Sequence, residues 1–234
     1  MSLTFTQTIA LIDIEVSTNS TSYPLATKVL DINLALDDAI DIAIRTCGIG
    51  QFDDTNNGNY PIIMTDLTSG QRDVSYTQDS TGNLVLDIYK VMIMNPAGVY
   101  VEIPQVDMQS GDYPTFYDGT NPTGTPSCYD RTGNGIIFNV IPNYTQANGI
   151  KLFINREGSY FTISDTTKKC GLDGRLHEYL VVSPAYKHAC RKSLDNKTAL
   201  QERKLILEEK IRRVYANKDR GIRRQIKPNY QNNK

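Results

Sequence analysis

The stretch PLATKVLDINLALDDAIDIAIRTC, residues 24–47, decides the fold at the level of the sequence. Its apolar residues recur at steps of three and four, which is the spacing of one apolar stripe along a helix. Thr21 and Ser22 can cap the start, Pro24 suits the first turn, and Gly48 suits the C-terminal stop. We therefore predict a helix over residues 24–47. Its stripe comprises Leu25, Val29, Ile32, Leu36, Ala39, Ile40 and Ala43.

The remaining face of this helix is acidic. It carries four aspartates, which we expect to face water because unpaired carboxylates are costly to bury. These are Asp31, Asp37, Asp38 and Asp41.

Helical spacing returns near the C-terminus. RLHEYLVVSPAYKHACRKSL (residues 175–194) and residues 195–219 each carry an apolar stripe, and the short connection at 193–196 predicts an antiparallel helical hairpin. A lone helix must bury its stripe, so the first helix is expected to pack on this hairpin. The stripe of the last helix comprises Leu200, Leu207, Ile211 and Val214.

Between these helical regions the pattern is typical of short strands. LVLDIYKVMIM (84–94) and VYVEIPQV (99–106) flank the turn sequence NPAG, which predicts a hairpin. GIIFNVIP (135–142), GIKLFINREG (149–158) and SYFTIS (159–164) are predicted as further strands. Regularly spaced short strands indicate an antiparallel sandwich or barrel.

The predicted fold class is therefore α+β, with a helical body and an inserted antiparallel β-sandwich or barrel. In the body, the N-terminal helix packs on the C-terminal hairpin. The predicted boundaries are an N-terminal extended segment at 1–20, the body at 21–54 and 168–219, the β-domain at 55–167, and a basic C-terminal arm at 220–234.

The composition limits where the protein can act. No run of about 18 apolar residues is present, and the first 16 residues lack a basic flank before a long apolar core, so we expect neither a membrane span nor a secretion signal. The four cysteines are thinly spread, which argues against a disulfide framework and favours a reducing cytoplasm. They are Cys47, Cys128, Cys170 and Cys190.

The charge is divided unevenly along the chain. Residues 1–165 hold 7 Lys and Arg against 19 Asp and Glu, whereas residues 166–234 hold 18 against 7, and the net charge is −1. Such a division favours contact between copies, or a basic end that meets an acidic protein or a nucleic acid. The most basic part is the arm, and its composition is compatible with non-specific contact with DNA and with a solvated tail.

We find no convincing catalytic, cofactor or metal motif. His177 and His188 lie eleven residues apart, too far along one predicted helix to share a metal, and their spacing from Cys170 and Cys190 matches no zinc site. We therefore expect Cys190 in the core and both histidines on the hairpin surface. No nucleophile stands out that would support a small hydrolase.

Five phrases, taken in order, resemble the head-to-tail connectors of tailed bacteriophages. INLALDDAIDIAI is followed by GQFDD, and YPIIMTDLTSGQRDVSY by GNLVLDIYKVMI. GLDGRLHEYLVVSPAYKHACRKSL then precedes a charged helix. The similarity covers nearly all of residues 25–228 and rests on the order of parts. The segment before residue 21, with its strand-like TIALIDIEV, is not matched by the family pattern.

The resemblance implies a structural virion protein of the neck without enzymatic activity or cofactor. It implies a homo-oligomeric ring, a dodecamer, assembled in the host cytoplasm between the portal protein and a downstream tail or stopper protein. The helices at 25–47 and 175–219 would form the ring body around passing DNA, and residues 218–234 would dock into the portal. The docking residues would be Lys218, Arg220, Ile222, Arg223, Arg224, Ile226 and Lys227.

A second hypothesis is a carbohydrate-binding or host-contact β-module. The predicted loop at 113–129 is rich in Tyr and also carries Asp118 and Asn121. Aromatic rings and polar groups on loops are typical of sugar sites.

Overall fold

The chain forms two compact units. The computed structural model describes residues 2–47, 62–79, 82–107 and 122–219. One unit, the helical unit, comprises residues 1–56 and 158–234, and the β-unit comprises residues 57–157. Each unit has its own hydrophobic core. The protein is an α+β protein with helices and antiparallel sheets.

The helical unit begins with α1 (Phe5–Val16), so the expectation of an extended N-terminal segment is wrong. The Thr4 side chain accepts from the Gln7 backbone while the Gln7 side chain accepts from the Thr4 backbone, a reciprocal cap that starts the helix. The β-branched residues suggest a strand, but burial of one helical face outweighs that preference. The buried face comprises Phe5, Thr8, Ile12 and Val16.

Helix α2 (Leu25–Cys47) confirms the prediction from the opening stretch. The predicted stripe residues from Val29 to Ala43 are all buried, and Ala35 joins them at 0% exposure. They pack with the C-terminal helices in a single core. Packing of its apolar face against this core stabilises the helix of 23 residues.

The C-terminal hairpin is confirmed as α3 (Tyr179–Lys192) and α4 (Lys197–Asp219). Ser193 ends α3 in the left-handed conformation, and its backbone N–H donates to the carbonyls of Ala189 and Cys190. On α4 the predicted core residues Leu200, Leu207 and Ile211 are buried. They belong to the same core as α2.

Residues 159–164 form no strand, so that prediction is wrong. The backbone of Phe161 bonds instead to the side-chain amide of Asn33 on α2. The Phe161 N–H donates to Oδ1 at 2.9 Å, and the Phe161 carbonyl accepts from Nδ2 at 3.0 Å. The Phe161 ring stacks on Phe5 with centroids 5.1 Å apart. The amide replaces a strand partner, and the β-unit therefore ends at residue 157 rather than 167.

The larger sheet of the β-unit has four strands in the order β1-β9-β3-β4, all antiparallel. They are β1 (Ile62–Leu67), β3 (Val85–Met94), β4 (Tyr100–Ile103) and β9 (Gln146–Arg156). The β3–β4 pair is the predicted hairpin, and the Asn95 side chain accepts from the backbone of Ala97 and Val99 in its turn.

Two smaller sheets complete the described part of the β-unit. β2 (Asp73–Ser75), β7 (Gly135–Phe138) and β6 (Tyr129–Thr132) pair antiparallel in that order. β5 (Thr123–Gly124) and β8 (Ile141–Pro142) pair in parallel, which departs from the expectation of antiparallel strands only. The four-stranded and three-stranded sheets contribute to one core.

Candidate assembly surface of the helical unit

A network of charged groups around the buried Lys28 and Asp31 joins α1, α2 and α3. The Lys28 ammonium, 2% exposed, donates to both carboxylate oxygens of Asp13 at 2.6 and 2.7 Å. Asp31, 3% exposed, accepts from the Tyr23 hydroxyl at 2.5 Å and from Arg191 of α3. The expectation that Asp31 faces water is therefore wrong, because these donors replace its hydration.

His188 completes this network by stacking on Tyr23, with ring centroids 4.1 Å apart. Burial lowers the pKa of His188 below its ordinary value, and the charges of Arg191 and Lys192 act in the same direction. Burial also raises the pKa of Tyr23 far above its ordinary value, to which its hydrogen bond to Asp31 adds. The network thus holds a neutral imidazole and a neutral phenol at neutral pH.

His177 is buried as well, at 3% exposure, and lies just before α3 rather than in it. Its Nδ1 accepts from the Leu3 backbone N–H at 3.0 Å, and its Nε2 lies 3.0 Å from the Leu172 carbonyl. A hydrogen on Nε2 satisfies both contacts. The histidine joins the start of the chain to the segment before α3.

The predicted positions of the histidines and of Cys190 are therefore all wrong. Both histidines are buried and Cys190 is exposed. The helical period places a residue on a face but does not distinguish a solvated face from one covered by α1 and α2. Among the described residues, no cluster of three or more His, Cys, Asp or Glu side chains could hold a metal ion.

Helix α2 exposes a row of side chains opposite its buried stripe. Leu30 and Leu34 are 59% and 43% exposed, one helical turn apart. Asp38 and Asp41 follow on the same side and are also exposed. We call Leu30, Leu34, Asp38 and Asp41 the α2 face. Sequence reasoning missed its apolar half, although α2 has more apolar residues than one stripe accommodates, which was the available signal.

Helix α4 exposes a second row of this kind. Leu205 and Ile206 are 56% and 67% exposed. They border a shallow groove of about 500 Å³ whose remaining walls are Glu209, Lys210 and Arg213. We call Leu205, Ile206, Lys210 and Arg213 the α4 face. Helix α1 adds a smaller exposed apolar site at Ile14, which is 72% exposed.

The predicted docking arm falls almost wholly outside the described residues. The backbone at Lys218 lies in the last turn of α4. The other predicted docking residues, Arg220, Ile222, Arg223, Arg224, Ile226 and Lys227, lie beyond the described range. The face of α4 that leads toward the arm is rich in arginine and lysine, with Lys210, Arg212 and Arg213 all exposed.

Comparison with models of known protein families gave no match, and comparison with curated proteins gave none either. Within the described part of the chain, no helix has the length and apolar character needed to span a membrane.

Proposed function

We propose that this protein is a structural component of a bacteriophage neck, a ring-forming adaptor that joins the portal of the capsid to the tail. The observation that carries the proposal is the pair of exposed apolar faces on α2 and α4 of one helical unit. A subunit in a ring must contact two neighbours through two different surfaces. Exposed apolar side chains on separate helices provide such surfaces, because covering them on assembly is favourable.

The internal construction of the helical unit supports the same role. Four helices share one apolar core, and the Lys28–Asp13 and Arg191–Asp31 pairs, each with one buried partner, join α2 to α1 and α3. Buried ionic pairs favour one arrangement over its alternatives more than they add stability. A ring that transmits force between capsid and tail requires subunits of fixed shape.

The basic end of the chain supports contact with a portal and with DNA. Six basic residues fall within residues 218–234 against one acid, Asp219. Arginines can form bidentate contacts with carboxylates of a portal protein, and the isoleucines at 222 and 226 can pack in a groove. Basic residues that line a channel also attract passing DNA without reading its sequence.

The proposal is tested by removing the arm. A chain cut after Asp219 should keep its thermal stability, because the described core contacts precede that residue. It should fail to join portal-bearing capsids, measured by co-sedimentation and electron microscopy. If the truncated chain joins capsids as well as the full chain does, the docking role of the arm is wrong.

Neutralising the arm separates its charge from its apolar residues. Replacing Arg220, Arg223, Arg224 and Lys227 with Gln should leave weaker capsid joining that depends less on salt, since Ile222 and Ile226 remain. The matched control replaces four exposed basic residues elsewhere with Gln and should join normally. These are Lys169, Arg175, Lys192 and Lys197.

A carbohydrate-binding β-unit is the second candidate. A cleft of about 330 Å³ is bordered by Tyr76, by the ion pair between Arg131 and Asp87, and by Asn134. Aromatic rings beside paired polar groups are typical of sugar sites. The full chain should then bind a glycan array, Arg131→Ala should abolish binding, and Lys90→Ala should retain it. Absence of binding at every glycan excludes this candidate.

A further inference from the structure

The α2 face and the α4 face match each other in both order and spacing. Leu34, Asp38 and Asp41 occupy positions i, i+4 and i+7 on α2. Ile206, Lys210 and Arg213 occupy the same three positions on α4. Residues at these spacings lie on one side of a helix. One face therefore reads apolar, acidic, acidic, and the other reads apolar, basic, basic.

Both helices run in the same direction within one unit. Arg191 and Lys187 of α3 pair with Asp31 and Asp38 of α2 respectively, so α3 is antiparallel to α2. Tyr179 bonds to Glu208, and the Tyr186 ring lies near Lys204, so α4 is antiparallel to α3. It follows that α2 and α4 are parallel to each other.

A rotation about an axis along these helices preserves their direction. The α2 face of one copy then meets the α4 face of the next copy in parallel, with leucine against isoleucine and aspartate against lysine and arginine. A two-fold axis perpendicular to the helices would reverse one of them and place apolar residues against charges. The match therefore favours a head-to-tail contact, the kind that closes into rings.

We propose that the α2 face of one copy of this chain binds the α4 face of a second copy, with Leu34 opposite Ile206 and Asp38 and Asp41 opposite Lys210 and Arg213. This inference rests on the proposed function, because it identifies the contact between neighbouring subunits of the proposed ring. Its support comes from the complementary charges and their common spacing.

The charged residues of both faces have partners within their own unit, and these partners must be exchanged on contact. Asp41 pairs with Arg45, Asp38 with Lys187, and Arg213 with Glu209. These intramolecular pairs are partly or largely exposed, so each contributes little stability and can be replaced. Lys210 also donates to the Arg175 carbonyl at 2.8 Å.

The magnitudes indicate that apolar contact supplies the attraction and that charge sets the register. Covering Leu30, Leu34, Leu205 and Ile206 removes apolar area from water at about 25 cal/mol per Å². The facing charges add little energy at the surface but strongly disfavour a shifted or inverted pairing. We therefore expect the free chain to associate weakly. High salt should weaken this association, but less than reversal of the charges on one face does.

Charge exchange between the two faces tests the pairing. Sedimentation velocity is measured on the full chain up to about 1 mM, where even weak complexes form. Asp38→Lys with Asp41→Lys is the first variant, and Lys210→Glu with Arg213→Glu is the second. Each alone should lose association by more than about tenfold, since like charges then face each other. An equimolar mixture should associate again, as should a chain that carries all four substitutions.

Two further variants separate this contact from a general effect of charge or of misfolding. Ile206→Glu should also abolish association. Lys192→Glu with Lys197→Glu makes the same charge change at the last residue of α3 and the first residue of α4, and this variant should associate normally. Circular dichroism must show an unchanged helix content for each variant, and a misfolded variant is replaced by the corresponding Ala substitutions, which should weaken association in the same order.

The pairing is overturned if the chain stays monomeric at every concentration, if the mixture of variants associates no better than its parts, or if the largest species is a dimer. The outcome is separate from that of the capsid experiment. A chain that associates through these faces but does not join capsids would refute the proposed function and retain this contact. Conversely, if each charge-reversed variant alone stays monomeric and still joins capsids, the proposed function is retained and this contact is refuted as the one between ring subunits.

Discussion

In the helical unit, exposed apolar side chains continue along helix faces, whereas in the β-unit they lie on edge strands and strand ends. Leu30 and Leu34 stand one turn apart on α2, opposite its buried stripe. Met64 and Val101 lie on β1 and β4, which are the two edges of the four-stranded sheet. Edge strands have a neighbour on one side only, so partial exposure follows from topology.

The two units also bury charge in different ways. The helical unit places Lys28 and Asp31 between helices, where each has donors or acceptors from a different element. The β-unit places Arg156, the last residue of β9, against Asp79. In the helical unit one partner of each pair stays partly exposed, whereas both partners of the pair in the β-unit are buried.

The largest expected effect is the removal of Asp13. Asp13→Ala leaves the Lys28 ammonium, 2% exposed, without its two carboxylate contacts and should cost about 3–5 kcal/mol in the free energy of unfolding. Lys28→Met combined with Asp13→Leu should cost less than the single change, because no buried charge remains. Urea denaturation measures both. A double variant less stable than Asp13→Ala would show that the network contributes net stability.

The next effect concerns two isoleucines five residues apart on α4. Ile211 is 0% exposed, so Ile211→Ala should cost about 2–5 kcal/mol. Leu36→Ala on α2 should behave alike, since Leu36 is 2% exposed. The matched control is Ile206→Ala, which should change stability by less than about 0.5 kcal/mol because this side chain is 67% exposed. Equal losses at both isoleucines would show that the α4 face is already covered in the free chain.

A smaller effect is expected from a glycine in the β-unit. A Cβ on Gly135 would lie 2.5 Å from the Val74 carbonyl oxygen on the neighbouring strand β2, so Gly135→Ala should cost about 1–3 kcal/mol. At Gly133, two residues earlier, nothing lies within 4 Å of such an atom, and Gly133→Ala should be nearly neutral. Thermal denaturation of the two variants compares them directly. A neutral Gly135→Ala would show that β2 and β7 can separate slightly at no cost.

The smallest effect is a pH dependence confined to the helical unit. Burial, with help from Arg191 and Lys192, lowers the pKa of His188 below its ordinary value of about 6.5, so the unfolded chain binds this proton more readily. Stability from the neutral imidazole is complete above about pH 6.5 and is lost as the pH falls through the lowered value. Asp31 opposes this shift and Lys28 adds to it.

The measurement is urea denaturation at a series of pH values for the wild-type chain and for His188→Gln, which cannot titrate. The wild-type chain should lose more stability between about pH 7 and pH 5 than the variant does. Parallel curves would show that His188 can be protonated within the folded unit without cost.

Local patterns predicted α2, α3 and α4 of the helical unit well, because helical spacing indicates which residues must be buried against other elements. Leu36, Leu207 and Ile211 were expected in the core and are buried there. The hairpin at 85–103 was predicted equally well, since its turn chemistry lies within four adjacent residues. Both kinds of signal depend on neighbours in sequence only.

The errors at Phe161 and Asp31 have the opposite property, because each depends on a partner far away in sequence. Phe161 is not in a strand because Asn33, 128 residues away, satisfies its backbone. Asp31 is buried because Arg191 reaches it from α3. The pattern around either residue carries no information about such a partner, so local preference was an unreliable guide there.

By itself the sequence determined the α+β class, the apolar stripes and the concentration of basic residues after residue 165, since these follow from spacing and composition. Only the tertiary structure decided that α1 is a helix and that both histidines are buried. It also decided that the α2 and α4 faces stay uncovered and that these two helices run in the same direction. The physical reason is that burial and direction are properties of packed elements. A stripe must be covered by something, but its own residues do not specify which element covers it or which face remains exposed.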